Sequence, residues 1–330
     1  MLRKLTMLLA AITVVMAAQS ARADDGITLK IGTLAPAESP WGQVFKIWSK
    51  GLNERTNGAL QLQFFWNGQQ GDEGAMVGKI RTGQLDGAAM TATGLSMIYK
   101  DVLALELPGL FRDWAKLDRA RDAMKPAFDV AFEKVGFKIL GWGDVGMAHM
   151  MTRGFEVRTP ADLKHKNCFY IAGDPIQSVL YQVVGDVSPK QVSVPEILTG
   201  LTAGTINVVT APALAAEQLQ WASRLDHINT QNAGAGIGGL VFASAKVKSL
   251  PADAQTALLE TGQVAGNALT RRIRGEDDAA FGRLKGRMAS YEPNSAEQQQ
   301  WADVFKQARD RLRGTTIDAK VFDDAVRYAQ

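Results

Sequence analysis

The 330-residue chain contains a single cysteine and only three histidines, and it has no low-complexity linker. One thiol, Cys168, cannot close an intramolecular disulfide, so the fold must rest on its core rather than on covalent staples. His149, His165 and His227 have no ligand spacing to one another, to the cysteine or to a carboxylate, which excludes a sequence-encoded metal site. Charge of one sign is also missing. The chain has 37 Lys and Arg against 34 Asp and Glu, and three of the basic residues (Arg3, Lys4, Arg22) lie in a leader expected to be removed. The remaining chain is formally neutral and lacks the basic excess on which nucleic-acid affinity rests. No segment after the leader reaches the ~20 apolar residues that a membrane-spanning helix needs. What is present, 46% hydrophobic and 22% charged residues, is ordinary globular composition, long enough for one large domain or two of medium size.

The leader has three parts: Arg3 and Lys4, an apolar run over residues 5–18 broken only by Thr6 and Thr13, and the small-x-small sequence Ala21-Arg22-Ala23. This pattern predicts a secretory signal peptide over residues 1–23, cleaved after Ala23. The absence of a cysteine at that point argues against a lipid anchor.

Beyond it, strand and helix patterns alternate. Residues 27–34 (ITLKIGTL) alternate like a strand, and Ser39-Pro40 opens a helix whose Trp41, Val44, Trp48 and Leu52 share one face. A second strand is expected over 60–66, a helix from Asp72 to near Gly83, and a third strand over 85–91. This β-α-β-α-β order predicts a parallel sheet covered by helices. The pattern returns 121 residues later: Val77, Ile80, Gly83, Leu85 and Asp86 match Leu198, Leu201, Gly204, Ile206 and Asn207 in spacing. Two such units favour two α/β lobes. Residues 251–288 read as a long helix with Gly262, Gly266 and Gly275 as weak points. Trp301, Val304, Phe305, Ala308 and Leu312 form a helical stripe, and a last helix covers 319–328.

No motif yields catalytic chemistry. Gly234-Ala-Gly-Ile-Gly-Gly239 satisfies G-x-G-x-x-G, but a strand pattern follows it where a nucleotide site needs a helix, so it reads as a flexible crossing between lobes. Cys168 lies near His165, yet no third group orients the pair, and a lone buried cysteine acts as a small apolar filler. The run Arg271-Arg272-Ile-Arg274 with Glu276-Asp277-Asp278 reads as a solvated helix face, with partner docking as the alternative. In a bilobal α/β protein, ligands sit at the carboxyl ends of the strands, here the loops after Leu34, Thr91, Trp142, Ile171 and Thr210.

Several short pieces, in order, carry a family resemblance: Glu54-Arg-Thr-Asn-Gly58, Asn67-Gly-Gln-Gln-Gly-Asp72, Gly83-Gln-Leu-Asp86, Leu107-Pro-Gly-Leu-Phe-Arg-Asp113, Thr159-Pro-Ala-Asp-Leu-Lys164, Gly204-Thr-Ile-Asn207 with Ala211-Pro212, and Leu250-Pro-Ala-Asp-Ala-Gln255. Together they resemble the periplasmic solute receptors of TRAP transporters, the dicarboxylate-binding-protein type. The resemblance implies a bilobal periplasmic-binding-protein α/β fold, with two parallel or mixed sheets flanked by helices and braced by a long helix. Lobe I would span 24–147 with a crossing near 237–250, lobe II 148–236, and residues 251–330 would pack on both. It further implies a periplasmic, non-enzymatic receptor without cofactor, which captures a small ligand by closure and delivers it to a TRAP-type membrane permease.

The resemblance breaks at the ligand anchors. Where members place arginine late in the Asp-Leu-Lys-Gly-x-Lys-x-Arg motif, this chain has Phe169; a second arginine position maps to Ala148, and the usual Asn before Pro212 is Ala211. Burying a carboxylate with its partner deleted costs about 3–5 kcal/mol. Trp142, Met147, Met150, Met151, Phe169 and Tyr170 supply apolar surface, with Thr91, Thr93, Tyr170 and Thr210 as neutral donors and Asp72 near the mouth. The expected ligand is therefore hydrophobic or amphipathic. Arg153 and Lys166 are the substitute cations if the ligand is a carboxylate after all, and a hydrophobe carrier without a permease is the other alternative.

Overall fold

The computed structural model describes residues 26–330; the expected signal peptide lies outside them. Ten strands run as β1 (Ile27–Thr33), β2 (Leu60–Phe65), β3 (Gly87–Thr91), β4 (Phe137–Thr152), β5 (Asn167–Ile171), β6 (Ser188–Val192), β7 (Val208–Pro212), β8 (His227–Asn229), β9 (Gly234–Ala243) and β10 (Ala289–Tyr291). The helices are α1 (Pro40–Arg55), α2 (Glu73–Arg81), α3 (Ala92–Ser96), α4 (Trp114–Lys134), α5 (Pro175–Val184), α6 (Ile197–Ala203), α7 (Ala213–Gln218), α8 (Ser244–Lys248), α9 (Ala252–Arg287), α10 (Ser295–Leu312) and α11 (Ala319–Tyr328). Their ends follow from side-chain chemistry. Ser39 accepts from the Gly42 N–H with Pro40 in the first turn, and Asp72 accepts from the Ala75 N–H.

The strands lie in the order β2-β1-β3-β9-β4-β7-β5-β6. Read from its two ends, this order is symmetric: β2-β1-β3 on one side answers β6-β5-β7 on the other, with β9 and β4 between them. The repeat legible in the sequence is this symmetry, since α2 leads into β3 as α6 leads into β7. Each outer trio is parallel, and the central pairs are antiparallel. The fold is thus bilobal α/β, with its two half-sheets hydrogen-bonded through β4 and β9 into one mixed sheet.

Three sequence readings need correction. The glycine-rich 234–239 segment is ordered strand, paired with β4 from Ala148↔Gly234 to Phe137↔Ala243, rather than a flexible crossing. Gly262 and Gly266 are close-approach positions in α9: a Cβ on Gly266 would sit 2.6 Å from the Trp142 carbonyl oxygen and 3.0 Å from the Cα of Gly141. The 36-residue helix, about 54 Å long at 1.5 Å per residue, can therefore lie directly on β4. Of the three glycines read as weak points, Gly275 alone has open space around it. The charged run on α9 is also partly buried. Arg274 donates to both oxygens of Asp118 (2.6 and 2.8 Å) and to Asp144 (2.7 Å), whose side chain is fully buried and also takes Arg121 at 2.5 Å. Asp277, 2% exposed, accepts from the N–H groups of Met147 (2.7 Å) and Leu214 (2.9 Å), tying α9 to β4 and to the start of α7.

Candidate functional site

A cavity of about 280 Å³ opens at the carboxyl ends of β1, β3, β5 and β7 and is crossed by β4 and β9. Its volume falls just below the ~300–1,000 Å³ typical of small-molecule sites. Trp41 and Phe45 of α1, Phe169 of β5 and Trp221 supply aromatic wall. Phe169 is 5% exposed, and its ring centroid lies 6.2 Å from that of Trp221. The Trp41 indole N–H reaches the Asp144 carbonyl at 3.4 Å.

Six of the ten expected site residues line this cavity: Thr91, Thr93, Ala148, Phe169, Thr210 and Ala211. The other four do not. Trp142 is buried beside Phe128, at 6.0 Å between centroids, and Met147 joins the same core. The cause is a bulge in β4 between Asp144 and Gly146, which reverses the side-chain alternation so that Ala148 and Met150 face the cavity while Trp142 and Met147 face away. Tyr170 alternates with Phe169 and points to the opposite face, its hydroxyl 3.2 Å from the Gln191 amide oxygen. Asp72 caps α2, and it is the next residue, Glu73, that turns into the cavity. Met151 is likewise core. The substitute cations are engaged elsewhere. Arg153 donates to the Leu201 carbonyl at the end of α6, and Lys166 lies 4.3 Å over the Phe155 ring.

The decisive feature is the charge of the wall. Among the described residues, no arginine, lysine or histidine lines the cavity, whereas the acidic residues Glu73, Glu106, Asp144 and Asp174 do; of these, Asp144 is already paired with Arg121 and Arg274 behind the wall. Glu73, 2% exposed, accepts from the Thr91 N–H (2.6 Å) and hydroxyl (2.7 Å); burial still raises its pKa above the usual carboxylate range. Glu106 stands in a 3₁₀ turn (Lys100–Glu106) and accepts from the Ile237 N–H at 2.6 Å. Burial, reinforced by Asp174 and Glu73, pushes its carboxyl up to about 8. Asp174 caps α5, accepting from the N–H groups of Ile176 and Gln177, and burial lifts it to about 6. Of these three, only Asp174 had a sequence signal: a capping Asp just beyond the end of a strand, before Pro175. Glu106 had none.

Neither Cys168 nor His149 offers reactive chemistry. Cys168 is fully buried with its thiol pushed up to about 12, and His149, stacked 3.9 Å from Phe281, is lowered to about 4 by burial. Among the described residues, no group of three or more His, Cys, Asp or Glu side chains is arranged to hold a metal ion, and no helix is long and apolar enough to cross a membrane.

A bilobal sheet with its cavity at the strand ends, between the two halves, is the architecture of a solute-binding protein. The sequence profile of the DctP family, bacterial extracellular solute-binding protein family 7, matches residues 31–314, and the chain belongs to that family. As a member of that family, the chain is an extracellular solute receptor and not an enzyme. It is 26% identical over 281 residues to the 2,3-diketo-L-gulonate-binding periplasmic protein YiaO of Escherichia coli strain K12, covering 83% of this chain and 77% of that one. A solute-binding protein of Verminephrobacter eiseniae is 24% identical over 253 residues, covering 76% and 75%. Among solved structures, a TRAP periplasmic solute-binding protein from Shewanella oneidensis with bound succinate superposes with a TM-score of 0.86 at 19% identity, covering 92% of this chain and all of the other. The sugar acid binding protein DctPAm from Advenella mimigardefordensis, in complex with galactonate, gives a TM-score of 0.86 at 13% identity, covering 92% and 98%. These likenesses establish the fold.

Proposed function

We propose that this receptor captures a small hydrophobic or amphipathic ligand in the cavity and hands it to a TRAP-type permease in the inner membrane. The observation that carries the reading is the wall itself: aromatic and aliphatic side chains, three acidic residues without a cationic partner beside the arginine-paired Asp144, and no cation among the described lining residues. Relatives whose names or complexes carry sugar acids and succinate would need a positive group, because a buried carboxylate is stable only when paired. Here Phe169 occupies the wall instead. Export would follow cleavage after Ala23. We assign lobe I to residues 24–147 with a crossing near 237–250, lobe II to 148–236, and the bracing helices to 251–330. The two lobes would close on the ligand by flexing at β4 and β9.

The test is native extraction of the purified, unrefolded protein followed by mass spectrometry of what it carries. A neutral or cationic apolar compound near one per chain supports the reading. A dicarboxylate or sugar acid at full occupancy overturns it.

A further inference from the structure

Three segments from both halves of the sheet bring carboxyl groups to one region of the cavity: Glu73 from the first turn of α2, Glu106 from the 3₁₀ turn, and Asp174 from the cap of α5. Glu106 is near enough to the other two to feel the charge of each. They do not form a metal-holding group. Their acceptor capacity is only partly used. One oxygen of Glu106 takes the Ile237 N–H, and one oxygen of Asp174 takes the N–H groups of Ile176 and Gln177; the second oxygen of each has no partner among the described residues.

Other polar groups in the same wall also lack partners: the Thr210 hydroxyl and both amide atoms of Gln231 are buried and unpaired among the described residues. The amide oxygen of Gln177, one turn into α5 from Asp174, is buried and unpaired. Thr93 is 4% exposed and lines the cavity, and its hydroxyl makes no hydrogen bond among the described residues. Buried polar groups in native proteins are almost always satisfied, so such a set is completed by what enters the cavity. Unfilled acceptors, clustered carboxyl groups that burial holds toward their neutral form in the empty cavity, and an aromatic wall together describe one kind of guest. A carboxylate would find no lining cation to pair with, and a hydrocarbon would leave every acceptor empty. A protonated nitrogen satisfies them and also favours aromatic faces.

Building on the receptor reading above, we propose that the ligand is a small amphipathic amine or amidine. Its cationic nitrogen would be held by Glu73, Glu106 and Asp174, and its apolar part would pack on Trp41, Phe169 and Trp221.

Three probes of matched shape test this against the full mature chain by titration calorimetry: 3-phenylpropylamine, 3-phenylpropanol and 3-phenylpropanoate. The amine should bind at least about tenfold more tightly than the alcohol, the difference between charge-assisted and neutral hydrogen bonds, and the acid should be weakest. Glu106→Gln and Asp174→Asn, checked for folding by thermal melting, should lower the affinity for the amine toward that for the alcohol. Should either variant fail to fold, the three-probe ranking on the native chain still decides. Equal binding of amine and alcohol, with the acid weak, overturns the cationic assignment while leaving the apolar receptor intact. Tightest binding by the acid overturns both, and saturable binding of none of the three counts against both.

Discussion

Replacing Phe169 by arginine asks directly whether the side chain at this position decides between acids and apolar ligands. Phe169 is nearly fully buried, lines the cavity and packs near Trp221, so a guanidinium there would enter the same space as Glu106 and Asp174. A buried carboxylate without its partner is disfavoured by about 3–5 kcal/mol, or a hundred- to several-thousand-fold in affinity at 1.4 kcal/mol per decade. The native chain should therefore show no saturable succinate binding in calorimetry. The single variant should gain little, because its new cation is neutralised by the carboxyl groups already present. Combining Phe169→Arg with Glu106→Gln and Asp174→Asn removes that internal competition, and succinate affinity should rise about a hundredfold or more over the native limit. Circular dichroism would confirm that each variant is folded. Tight succinate binding by the native chain would refute the reasoning, as would a folded triple variant that gains none.

Two further outcomes follow from the packing of α9. Burial raises the Asp277 carboxyl to about 6, above its unfolded value near 3.9, so its contribution to stability is fully present below pH ~4 and is lost as pH rises through ~6. The stability gap between native protein and Asp277→Asn, measured by urea denaturation, should accordingly narrow by up to about 3 kcal/mol between pH 4 and pH 7, whereas a pH-independent gap would contradict the assignment. Gly266→Ala should destabilise by roughly 1–3 kcal/mol, because the new methyl meets the Trp142 carbonyl, while Gly275→Ala, with open space around it, should stabilise by about 0.5–1 kcal/mol. Equal melting temperatures for these two variants would show that α9 does not need close contact with β4.

The elements were readable because their causes are local. Ser39-Pro40 and Asp72 announce helix starts, and residues 167–171 alternate as the strand they form. The 121-residue repeat anticipated the symmetric strand order. Misreadings occurred where a local rule met a tertiary event. Alternation along β4 held only as far as the bulge at Asp144/Gly146, which turned Trp142 and Met147 away from the cavity. The charges of α9 look solvated by composition, yet Arg274 and Asp277 are drawn inward by Asp144, Asp118 and the free N–H groups of Met147 and Leu214.

The sequence by itself determined the class of fold, its duplication, and the aromatic side chain at position 169, since periodicity, capping residues and residue identity are all written along the chain. Only the tertiary structure decided that Glu73, Glu106 and Asp174 share one cavity. They are separated by 33 and 68 positions along the sequence, and no local pattern links them. What joins them is the docking of two half-sheets through β4 and β9, and with it the charge that any ligand must meet.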